Sequence, residues 1–223
     1  MEIPFTVAQF TAVFGDYNAA VWPTQWMLVA MACCIVAALL KKRLWTDVFI
    51  SLVLGALWAW IAVAYHLAFF ARISPAAYAF AALSMFGAVV FIWEGVVRRR
   101  MRFQWTMGPG CFAGAALIVF VLVMYPLWCN AAVHAYPLMP TFGLPCPTTI
   151  FTIGVLCFAV RPAPRDTLIV PLLWCLVGTQ AAWMLDMQPD LSLIPAALVG
   201  LGLFITSGHG KPDTLQQVGR QKE

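Results

Sequence analysis

The chain has 223 residues, 63% hydrophobic and only 10% charged, with mean hydropathy +0.87 and net charge +4. A water-soluble domain carries about 25% charged residues. So few charges cannot cover a globule, and the apolar excess must face lipid. The positive charge falls in short clusters between long apolar runs, which excludes a nucleic-acid surface.

The first residues, Met1-Glu2-Ile3-Pro4, have no basic region and no small-residue cleavage site, so a cleaved signal peptide is not expected. Thr6 and Gln9 fit a capping box, and Val7, Phe10, Phe14, Tyr17 and Val21 recur at helical spacing. Residues 6–20 therefore read as an amphipathic helix lying on the outer membrane surface.

Seven apolar segments follow, each read against the roughly 20 residues needed to cross a bilayer. They are Pro23–Leu40, Trp45–Phe70, Ala76–Val97, Gly110–Cys129, Pro145–Val160, Thr167–Leu185 and Leu191–Ser207. Lys41–Arg43, Arg98–Arg102, Arg161, Arg165 and the tail carry 12 of the 13 positive charges, leaving only Arg72 on the other side. The positive-inside rule then places the N-terminus outside and the C-terminus in the cytoplasm. The expected fold is an all-α membrane protein with a single transmembrane domain over residues 1–207, comprising the surface helix (1–21) and a seven-helix bundle (22–207). Residues 208–223 read as a disordered cytoplasmic tail.

Segments one to three echo segments five to seven: Pro23-Thr24-Gln25 against Pro147-Thr148-Thr149, and Leu57-Trp58 against Leu173-Trp174. The plan is similar to the three-plus-one-plus-three parallel repeat of SWEET-type transporters, whose site lies between repeats. Retinal binding is excluded, because residues 191–207 contain no lysine.

The least regular stretch runs from Tyr136 to Thr149, with Pro137, Pro140, Pro145 and Pro147. It cannot form a continuous helix, and it is too apolar for a free loop. Irregular backbone at membrane depth must be buried in protein or line a cavity. We therefore expect a folded-in loop that delivers Pro147 to the first turn of a shortened fifth segment, whose amino end faces a pocket. The candidate ligand-binding residues are Tyr65, His66, Tyr125, His134, Cys146, Thr148, Thr149, Gln180 and Gln25. All lie in the outer half of the membrane or at its outer interface, while the inner half is almost wholly apolar.

His66, His134 and Cys146 are also the candidates for a metal, or the two histidines for haem, in an accessory-subunit reading. No paired carboxylates and no nucleophile–base motif appear, so an enzyme is not expected. The seven cysteines show no C-x-x-C pair and no zinc spacing.

Two stretches carry a resemblance. Trp58–Tyr78 (W-x-W…Y-H-x-x-F-F…I-x-P-A-A-Y) and Pro137–Phe151 (P-x-x-P-x-F-G-x-P-C-P-T-T-I-F) resemble a bacterial family of multipass membrane proteins known only as a domain of unknown function. The likeness runs from Phe5 to about Leu203. It implies a bacterial inner-membrane location and carries no activity. The sequence thus leads to a small-solute or ion transporter or binding protein, with an outward-facing pocket under the proline-rich loop. The alternative is a non-transporting accessory or anchor subunit beside other membrane subunits.

Overall fold

The computed structural model describes residues 5–132 and 135–207. Nine α-helices, extended by π and 3-10 stretches, make up their regular structure, and only two isolated β-bridges occur among the described residues. They are α1 (Val7–Ala20), α2 (Thr24–Leu40), α3 (Thr46–Trp60), α4 (Ala76–Ile92), α5 (Pro109–Val119), α6 (Tyr125–Ala132), α7 (Pro145–Leu156), α8 (Asp166–Met184) and α9 (Leu193–Thr206).

Several are lengthened by wider or tighter turns. A π-helical stretch, Ile61–Leu67, and a 3-10 turn, Phe70–Arg72, extend α3. Another π stretch, Phe120–Met124, joins α5 to α6. It lies just before Pro126, where a wider turn accommodates a residue that cannot donate a backbone N–H.

Five helices are long and apolar enough to cross a membrane: Thr46–Arg72, Ala76–Val97, Pro109–Ala131, Asp166–Met184 and Gln188–Thr206. Two of the seven expected spans fall short. Helix α2 has 17 residues and forms a sixth candidate only when joined to α1, from which it is bent by 85°. Helix α7 has 12 residues, a rise of about 18 Å, against roughly 30 Å of hydrocarbon. Prolines at its start and the turn at Cys157–Phe158 limit it at both ends.

Helix α7 is the centre of the protein. Every residue from Pro145 to Leu156 except Cys146 is buried. Its β-branched Thr148, Thr149, Ile150, Thr152, Ile153 and Val155 are indifferent helix formers, so surrounding packing must hold it. It packs against α5, α8 and α9. The α5 contact depends on two glycines: a Cβ on Gly114 would stand 2.6 Å from the Gly154 carbonyl, and one on Gly154 would stand 2.9 Å from Ile118. The Trp58 indole N–H from α3 reaches the Thr152 hydroxyl at 3.2 Å. By contrast, α2 packs chiefly on α3 and leaves Trp26, Met27 and Leu40 exposed. The two helices that head the expected repeat thus sit in different surroundings, and the packing lends the repeat no support.

The capping box at α1 is present, with Gln9 N–H on Thr6 Oγ1 at 3.2 Å and Thr6 N–H on Gln9 Oε1 at 2.8 Å. The destination of the apolar face differs from expectation. Val13, Phe14 and Tyr17 are buried against protein, not laid on lipid. Tyr65 stands 6.4 Å from Phe14 and 5.6 Å from Tyr17, and Phe70 stands 6.2 Å from Phe10, ring centre to ring centre. An aromatic stripe on α1 meets an aromatic surface at the far end of α3, so α1 covers one end of the bundle.

The opposite end carries the basic loops and is held by a small set of polar contacts. Asp47 pairs with Lys42 and accepts the Phe103 N–H at 2.7 Å. Gln104 N–H reaches the Phe158 carbonyl at 2.9 Å, and Val160 N–H reaches that of Arg102 at 2.8 Å, tying the loop after α4 to the end of α7. Glu94 is fully buried there and takes both Arg98 and Arg100 at 3.1 Å.

Candidate functional site

From Met139 onward the proline-rich segment is folded in, while Tyr136–Leu138 stay exposed, and one asparagine holds it. Asn18, completely buried at the end of α1, donates to the carbonyls of Pro137 at 2.6 Å and Met139 at 2.8 Å. Its carbonyl oxygen accepts the Thr141 hydroxyl at 2.7 Å and the Gln25 amide at 2.8 Å. Just beyond, Gly143 adopts φ +98°, and a Cβ there would lie 2.4 Å from Leu28. Only glycine meets both conditions at low cost. The chain then enters α7 through Pro145.

Beneath α1 lies a cavity of about 280 Å³, near the low end of the ~300–1,000 Å³ usual for small-molecule sites. It is bounded by α1, the π turn of α3, the starts of α4 and α7, the end of α8 and the 3-10 turn Gln188–Ser192. All these elements meet at the end opposite the basic loops. The wall is mainly apolar, and Phe10, Phe14, Phe70, Phe80 and Trp174 give it an aromatic share.

The polar groups of the wall are few and deeply placed. The π turn brings neighbouring Tyr65 and His66 to the lining, 3% and 1% exposed. The His66 ring lies 5.2 Å from Trp174 and 5.7 Å from Phe80, and neither of its nitrogens has a hydrogen-bond partner among the described residues. Asp190, 5% exposed, lines the cavity from the 3-10 turn. Its carboxylate accepts the Tyr125 hydroxyl and faces the Cys146 thiol. Among the described residues no Lys, Arg or His forms an ion pair with it. The Trp174 indole N–H also lies beside Cys146 with no conventional acceptor.

The amino end of α7 faces the cavity, as the sequence suggests, but brings it few donors. Pro145 and Pro147 occupy the first and third helical positions and have no N–H. That leaves Cys146 as the one donor of the first three residues. The nearby group is a carboxylate of the protein's own, Asp190, which is the charge a helix amino end favours.

Of the candidates read from the sequence, Tyr65, His66, Cys146 and Gln180 line the cavity, Gln180 from its exposed rim. Tyr125 stands behind the wall and holds Asp190. Gln25 belongs to the Asn18 cluster instead, because its amide is consumed there. Thr148 and Thr149 are fully buried in α7 outside the cavity, both hydroxyls without a partner among the described residues. His134 lies outside the described residues. Among those residues, no group of three His, Cys, Asp or Glu could hold a metal.

Sequence reasoning missed Asp190, Trp174 and Asn18. Asp190 reads as half of an acidic outer turn with Asp186, yet only Asp186 is exposed. The signal for Asn18 was an amide on the apolar side of an amphipathic helix.

No curated protein and no solved structure matches the chain. One family does, over residues 7–211: the chain belongs to the family of unknown function DUF6064.

Proposed function

We propose that this chain is a membrane protein that binds a small, largely apolar solute in the cavity beneath α1, as a transporter or solute-binding protein. The observation that carries this reading is the pairing of an open aromatic cavity with deeply buried polar groups left unsatisfied on its wall, above all His66. A wall serving only to pack helices has no use for an imidazole without partners, since an unmade hydrogen bond costs about 1–3 kcal/mol. Below the cavity, Ile150, Phe151, Ile153 and Val155 of α7 fill the core. An open end above a sealed end is what one state of an alternating-access carrier requires.

The topology we infer has seven crossings, with α2 and the half-length α7 completing the five long helices. The N-terminus lies outside and the C-terminus in the cytoplasm of a bacterial inner membrane. The charge distribution supports this orientation, with 12 of 13 positive residues on one side. The cavity then opens outward.

Solute uptake into proteoliposomes and equilibrium binding, each compared with Ala181→Phe, test the reading. Ala181 lines the cavity and is half-buried, so a phenyl ring there occupies the site. The wild type should bind and accumulate at least one member of a broad solute panel, and the variant should not. Binding and flux indistinguishable between the two across the whole panel would refute the proposal.

A further inference from the structure

We infer that the occupant of this cavity is an organic cation: an apolar body carrying an ammonium group, with the nitrogen at Asp190 and the body among the rings. The inference rests on the solute-binding reading above and names its ligand class.

Three features of the site converge. Asp190 is 5% exposed, with no cationic partner among the described residues. An ionised carboxylate accepts at about four lone-pair positions. Here it has one strong donor, the Tyr125 hydroxyl, and one weak donor, the Cys146 thiol. A buried charge without a counter-charge is costly, and an entering ammonium group supplies both the charge and the missing donors.

The wall suits the same ligand. Phe10, Phe14, Phe70, Phe80 and Trp174 present aromatic surface to the cavity. Ring faces attract cations and repel anions, the more strongly where water is excluded. His66 contributes an unpaired ring nitrogen able to accept an N–H. The start of α7 offers little to an anion, since Pro145 and Pro147 remove two of its first three donors. An anionic ligand would meet Asp190 and ring faces together. A neutral one would leave the carboxylate as it is.

The test uses the purified chain in nanodiscs and three probes of one shape: 4-phenylbutylammonium, 4-phenylbutanol and 4-phenylbutyrate. Binding is read by titration calorimetry. The ammonium probe should bind saturably and about tenfold or more tighter than the alcohol, the factor expected of a charge-assisted hydrogen bond. Asp190→Asn keeps an acceptor for Tyr125 and should reduce that ratio to about one. Phe80→Ala should weaken both the ammonium and the alcohol probes, the ammonium by at least as much. Saturable binding with no preference for the ammonium, or a preference that survives Asp190→Asn, overturns the inference while leaving the solute-binding reading intact. Failure of all three probes to bind overturns the inference and counts against the reading beneath it.

Discussion

Replacing Asn18 with alanine should unfasten the proline-rich loop. The Asn18 side chain makes four hydrogen bonds, two donated to loop carbonyls and two accepted from Thr141 and Gln25. A net value of roughly 1 kcal/mol for each gives a loss of about 4 kcal/mol, since the partners are buried and water cannot fully replace the lost atoms. For a chain of this size that corresponds to a fall of roughly 8–16 °C in melting temperature. The assay is thermal unfolding of the purified protein in detergent, followed by tryptophan fluorescence. Asn18→Asp supplies an internal control. It keeps the oxygen that accepts from Thr141 and Gln25 but sets a carboxylate oxygen against two carbonyl oxygens, so it should be no milder than alanine. A melting temperature within about 2 °C of wild type for Asn18→Ala would refute the claim that this residue holds the loop.

Other substitutions follow from the same geometry. Gly143→Ala combines a positive φ with a Cβ 2.4 Å from Leu28, and should cost about 2–4 kcal/mol by thermal melting. Trp58→Phe removes the hydrogen bond to Thr152 inside the core and should cost about 1–3 kcal/mol by the same measurement, leaving probe binding in the cavity unchanged. Asp16→Asn breaks only an exposed 4.0 Å pair with Arg72, so stability should move by less than about 0.5 kcal/mol. Glu94→Ala removes two 3.1 Å pairs with the half-exposed Arg98 and Arg100 and empties a buried position, so it should lower the melting temperature more than Asp16→Asn does.

The elements most legible in the sequence were those with a local chemical cause. Thr6 and Gln9 announced the start of α1, and the charge clusters marked the helix ends. Pro137, Pro140, Pro145 and Pro147 identified the irregular segment and the short helix after it. Tyr65, His66 and Cys146 line the cavity, and polar groups in apolar segments are legible because they must find a lining or a partner. What escaped was decided by packing between distant segments. The stripe of Phe10, Phe14 and Tyr17 fits lipid or protein equally well on periodicity alone, and only the aromatic surface around Tyr65 and Phe70 decides between them. Gln25 looked free until Asn18, seven residues earlier and across an 85° bend, was placed beside it. Asp190 differs from exposed Asp186 only in how the 3-10 turn Gln188–Ser192 directs it inward.

The central claim is that the cavity beneath α1 holds one solute. Native mass spectrometry of the intact protein, titrated with solutes in parallel with Ala181→Phe, tests it most directly. The account predicts saturation at one bound molecule for the wild type and none for the variant. Equal adduct formation by the two proteins, or no saturable adduct with any solute, would contradict it.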